Sequence, residues 1–87
     1  MLAPQKKLNY VYSEVHVITA EEIVAKEFTL QKTPTVPELT EFLPDGGPLQ
    51  RYGIEYIIEG NKLKWSNKSL DGFLITGDSI TLRYYTV

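Results

Sequence analysis

His16 stands two residues after Glu14 in the run Tyr10-Val-Tyr-Ser-Glu-Val-His-Val-Ile18. On an alternating strand that spacing puts imidazole and carboxylate on one face, where the imidazole could act as a general base or a pH-sensing group. It is the chain's one His, and an isolated His lacks the oriented partners that catalysis needs. An ordinary strand role is the expectation. Asp71 and Asp78 flank a Gly-containing loop, and hard cations favour several oxygens from a tight loop. Their spacing is not that of an EF-hand, and Asp-Gly is ordinary turn chemistry. Gly46-Gly47-Pro48 does not make a phosphate loop, because Pro48 removes an N–H where such a loop needs one and no Gly-Lys-Ser/Thr follows. The absence of Cys excludes disulfides, thiolate zinc sites and Cys nucleophiles. No catalytic, metal or cofactor site is expected.

Aromatic platforms with polar tips bind sugars, which makes Tyr52, Tyr56, Trp65, Tyr84 and Tyr85 candidate stacking groups. Tyr56, Trp65 and Tyr84 fall on faces that must supply the core of so small a domain. Tyr52 and Tyr85 stay open as glycan contacts. Ile57 falls on the outer face of its strand, between Glu55 and Glu59 and opposite Lys64. With Tyr10, Tyr12 and Tyr85 it is expected to mark a protein-contact surface, since several exposed apolar groups together do so where a single one does not. Lys6 and Lys7 lie on an arm expected to order on a neighbour.

The elements that position these groups follow from length and punctuation. Eighty-seven residues allow one domain with a thin core. Val, Ile, Thr and aromatic residues together make 31 of the 87, which suits a pleated, half-buried surface. All Pro lie within residues 4–48 and all Gly within 46–77, so stiff joints precede tight turns. Residues 1–9 read as an arm and 10–87 as one β domain. Tyr10–Ile18 alternates with two mixed faces, which predicts an edge strand or one covered on both sides. Thr19-Ala-Glu-Glu22 is a capping box that predicts a short helical turn near residues 20–26, provided Ile23 and Val24 dock on the sheet. Glu38–Leu43 alternates as a short strand. Gly60-Asn61 between two alternating runs predicts a two-residue hairpin. It sets Ile58 against Leu63 and Tyr56 against Trp65 on one side, Glu59 against Lys62 and Ile57 against Lys64 on the other. In the last run, Ile80, Leu82 and Tyr84 share one face and Thr81, Arg83 and Tyr85 the other. The expected fold is all-β, a small antiparallel sandwich or barrel-like domain. Its core includes Tyr56, Ile58, Leu63, Trp65, Ile80, Leu82 and Tyr84.

The net charge of −2 is spread over both halves, which disfavours nucleic acid as a partner. No apolar run approaches the roughly 20 residues of a membrane span, and no apolar stretch follows Lys6-Lys7 as in a signal peptide.

Gly46-Gly47-Pro48, Gln50, Tyr52-Gly53, Tyr56, Gly60-Asn61, Leu63, Trp65, Leu70-Asp71-Gly72, Leu74, Gly77-Asp78, Ile80 and Tyr84 occur in an order that resembles a family of small tailed-bacteriophage structural domains. His16–Ile23, Ala25-Lys26, Phe28–Leu30 and Thr33-Pro34 resemble that family's upstream half, and together they span residues 14–85. Where many relatives carry Asp before the strand Tyr, this chain has Glu55, and Glu38–Leu43 is more acidic than the family's apolar strand. The resemblance implies a non-enzymatic virion protein that docks on itself or on neighbouring particle proteins. Tail or fibre is favoured over capsid decoration, with a carbohydrate-binding adhesin as a further alternative.

Overall fold

The computed structural model describes residues 9–87. The expected arm, with Lys6 and Lys7, lies outside the described residues except for Asn9. Six strands form two antiparallel three-stranded sheets. Strand β1 is Tyr10–Val17, β2 Glu27–Thr29, β3 Glu41–Pro44, β4 Ile57–Glu59, β5 Lys62–Lys64 and β6 Ser79–Thr86. The first sheet has the order β1-β6-β3 and the second β2-β5-β4. The fold is all-β and sandwich-like, as composition and turn spacing predict.

β6 is the spine of the first sheet. It pairs along its length with β1, from Tyr10 opposite Thr86 to Val17 opposite Ser79. Its other side takes β3, from Glu41 opposite Arg83 to Pro44 opposite Ile80. The alternation Ile80, Leu82, Tyr84, Thr86 is buried, and the intervening Thr81, Arg83 and Tyr85 face out. Every residue named above as core is buried, joined by Ile18, Phe28, Leu30, Phe42, Leu70 and Leu74 in one cluster. Phe42 packs on Tyr56 with ring centroids 5.0 Å apart, and His16 stacks on Phe28 at 4.1 Å, so both sheets share that core. The Tyr56 hydroxyl donates to the Thr40 carbonyl at 3.0 Å, which satisfies the phenol's polar end in the interior.

The hairpin forms in the predicted register, with Ile57 opposite Lys64, Ile58 opposite Leu63 and Glu59 opposite Lys62. The ladder stops there: Tyr56 and Trp65 are both buried but are not a ladder pair, and Tyr56 instead bridges Tyr52. The charges also pair differently from expectation. Lys64 reaches diagonally to Glu59 at 2.6 Å, while Lys62 turns to β2, donating to Thr29 Oγ1 at 3.0 Å and lying 3.7 Å from Glu27. A central strand offers each lysine two neighbours, and β2, unseen from the hairpin alone, takes one of them.

The helix α1 is Ala20–Ala25. Both halves of the capping box are present: Glu22 N–H donates to Thr19 Oγ1 at 3.2 Å, and Thr19 N–H donates to a Glu22 carboxylate oxygen at 3.0 Å. Lys26 ends the helix in the left-handed conformation, φ 60°. Ile23 packs on the core as expected, but Val24 is 83% exposed, because a helix this short presents a single narrow stripe to the sheet. The expected strand over Glu38–Leu43 begins only at Glu41. Pro37, with no N–H and φ preset, opens a 3-10 turn, Pro37–Leu39, that consumes the first half of that run.

Candidate docking surface

β1 alternates between two environments. Tyr12, Glu14, His16 and Ile18 point to the interior, whereas Val11, Ser13, Val15 and Val17 face out. Ladder register extends the outward set into rows across the first sheet. Val11 lies opposite Tyr85; Ser13 opposite Arg83, with Glu41 beyond; Val15 opposite Thr81, with Leu43 beyond. Val15 is 61% exposed and Val17 56%, with Leu43 and Tyr85 also open. Arg83 and Glu41 form an exposed ion pair at 3.7 Å across the middle row, worth little in stability but fixing the polarity of the patch centre. Val11, Leu39, Glu41, Arg83 and Tyr85 rim a depression of about 90 Å³. That is well below the ~300 Å³ of a small-molecule pocket and suits a single side chain. The arrangement is a β face that sets exposed apolar side chains around a central ion pair.

The residues singled out from sequence are not one surface. Tyr85 belongs to this face. Tyr10 is exposed at the start of β1 but on the opposite parity from Val11. Tyr12, expected to face outward, instead packs against the core, its ring 5.8 Å from Tyr84 with its hydroxyl donating to Gln31 and Lys32 Nζ 5.6 Å from its centroid. The cause is strand parity: Ile18 and Glu14 are buried, and Tyr12 shares their side. Ile57 is half-buried on the second sheet, on β4, and so belongs to a different surface. Tyr52 is half-buried too, edge-on to Tyr56 at 5.7 Å and 86°, with its hydroxyl 3.5 Å from the Ile58 carbonyl. Tyr52 and Tyr85 therefore do not join as one stacking platform.

What sequence reasoning missed is the valine row. The signal was present in the odd positions Val11, Ser13, Val15 and Val17, all uncharged, but which parity faces water depends on what covers the other. Phe73 is a further exposed apolar group that strand alternation does not single out. It is 68% exposed and stands between two depressions that share Pro48 with it, near exposed Leu49.

His16, Glu22, Asp71 and Asp78 are engaged in structural contacts. His16 Nε2 lies 2.7 Å from a Glu22 carboxylate oxygen, the same group that closes the capping box. Burial raises the Glu22 pKa, but the hydrogen bonds from His16 and the Thr19 amide outweigh it and leave the group below its ordinary value. Asp71 accepts from Lys26 Nζ at 3.0 Å and from the Asn67 amide at 3.1 Å, and both hold it below the usual carboxylate range. Asp78 accepts from the Ile75 amide at 2.9 Å. Among the described residues, no three His, Cys, Asp or Glu side chains gather as metal ligands. No protein-family model matches the chain, and neither a curated protein nor a solved structure does.

Proposed function

We propose that this chain is a non-enzymatic structural component of a tailed-bacteriophage particle, in the tail or fibre apparatus, that docks on neighbouring protein through the outer face of its first sheet. Two things support the reading: the ordered Gly-Asn-x-Leu-x-Trp, Leu-Asp-Gly-x-Leu and Gly-Asp-x-Ile pattern, and the exposed face of Val11, Val15, Val17, Leu43 and Tyr85. The second carries the mechanism. These side chains lie outside the core cluster, so burying them against another protein gains the ~25 cal/mol per Å² of apolar burial without altering the fold. Arg83 and Glu41 supply orientation at the patch centre.

The test is location followed by disruption. Mass spectrometry of purified particles should find the chain, and imaging should place it in the tail. The double variant Leu43→Lys, Tyr85→Ser should fold normally and incorporate at least tenfold less. Mature particles lacking the chain would end the reading; placement on the capsid shell would reassign it to a decoration role; full incorporation of the double variant would remove this face.

A further inference from the structure

The two edges of the first sheet are treated oppositely. Backbone direction is set by the bonds that flank the ladders. Asp45 N–H donates to the Ser79 carbonyl at 2.8 Å, and Thr35 N–H to the Tyr85 carbonyl at 2.9 Å, so odd residues of β6 address the β3 side. Ile18 N–H donates to the Asp78 carbonyl at 2.9 Å, so even residues of β1 address β6. The amides and carbonyls of Val11, Ser13, Val15 and Val17 therefore point out of the sheet. None of them has a hydrogen-bond partner among the described residues.

The other edge is closed. On β3, Phe42 addresses the outside, and its carbonyl accepts from the Gln50 amide at 2.8 Å. Pro44, the next outward position, has no N–H to offer. Proteins blunt free edges with Pro, charge, bulges or short length, and β3 uses two of these devices. β1 uses none. It runs eight residues without Pro or bulge, and its outward side chains are Val, Ser, Val and Val.

We infer that the β1 edge pairs antiparallel with β1 of a second copy of this chain, about a twofold axis at Val15. The inference goes beyond the docking reading above, because it uses the edge of the first sheet and leaves its outer face free. Self-pairing is isologous, so outward amides and carbonyls of one copy meet the same row on the other. Because only odd residues point outward, hydrogen-bonded pairs join odd to odd. A twofold at Glu14 would set its carboxylate opposite the partner's Glu14, in the closest type of cross-strand position. A twofold at Val15 sets Val15 against the partner's Val15 and Ser13 against the partner's Val17. On the inner face it places Glu14 opposite the partner's His16. The charges thus exclude the Glu14 twofold; about Val15 the shared ladder joins Ser13, Val15 and Val17, with Val11 beyond it, and the valine rows of the two copies run on as one continuous outer face.

The chain has no Cys, which makes the test direct. In a hydrogen-bonded antiparallel pair the Cα atoms are about 5.5 Å apart, inside disulfide range. Val15→Cys should therefore give a disulfide-linked dimer on mild oxidation. Ser13→Cys should stay single, since the two copies of that position lie more than about 12 Å apart. Val15→Pro removes only an outward amide, so the native mass should fall from two chains to one with an unchanged circular dichroism spectrum. A single-chain native mass at the highest soluble concentration would overturn the pairing. So would cross-linking through Ser13→Cys in place of Val15→Cys. So would protection of the Val11, Ser13, Val15 and Val17 amides from exchange in a monomer, which would assign the edge to another segment of the same chain. The two proposals fail separately: a monomer found in particles ends the pairing alone, and a dimer absent from particles ends the virion role alone.

Discussion

Tyr84 is where a single side chain ties the most distant parts of the chain together. Its hydroxyl donates to the buried Glu14 carboxylate and accepts from the Lys32 amide at 3.0 Å. The same Glu14 oxygen accepts from the Gln31 amide at 3.0 Å. The loop after β2 is thereby held over β1 and β6 by polar contacts rather than by a ladder. Burial, then the adjoining Glu14, push the phenol above its ordinary range, so it remains a donor at any physiological pH. Replacing Tyr84 with Phe keeps the ring but strands the Lys32 amide and removes one donor from Glu14. We expect a loss of about 1–3 kcal/mol in urea unfolding, with the spectrum unchanged. A loss below a few tenths would show that water replaces the hydroxyl. Tyr84 reads as a core residue from alternation alone. Its partner Glu14 does not, because a carboxylate two residues from His16 suggests reactivity until the Gln31 amide and the Tyr84 hydroxyl are brought to it.

Among the elements, α1 is the most local and the most legible. Its start is written in Thr19 and Glu22, which need no tertiary contact to find each other. Replacing Thr19 with Ala should cost about 1 kcal/mol, read as a lower unfolding midpoint. Because Glu22 also meets His16, the same substitution should shift the His16 ring resonances in NMR spectra; unmoved resonances would show the two contacts to be independent. The hairpin was equally legible. Gly60 adopts φ 62°, which the turn demands and which a side chain there would strain. β3 was not. Period-2 alternation over Glu38–Leu43 is matched as well by a proline-started turn plus a shorter strand, and only pairing with β6 chooses between them.

The molecule as a whole is held by ties between elements far apart in the chain. The Lys26–Asp71 contact is one of them: the helix end clasps the loop that carries Asn67, Asp71 and exposed Phe73. Asp71 and Glu22 both titrate below their unfolded values. In that window the unfolded chain binds more protons than the folded one. Their contribution is therefore complete above the ordinary carboxylate range and disappears as pH falls through the depressed folded values. Urea midpoints should hold steady from neutrality down to the ordinary carboxylate range and drop below it. Asp71→Asn should flatten part of that drop, and an unchanged acid limb in this variant would show that the clasp contributes nothing.

Length, the absence of Cys, the spread of charge, strand alternation and turn residues determine from the sequence alone an all-β domain with a capped helical turn, a registered hairpin and most of its core. These are short-range matters, decided by side-chain period and backbone φ within a few residues. Which parity of β1 faces water, which lysine meets which glutamate, where β3 begins, and that among the described residues one sheet edge is closed while the other lies open were decided only by tertiary structure. Each depends on which distant strand lies alongside, and a strand carries on both faces and both edges groups whose fate its own sequence does not specify.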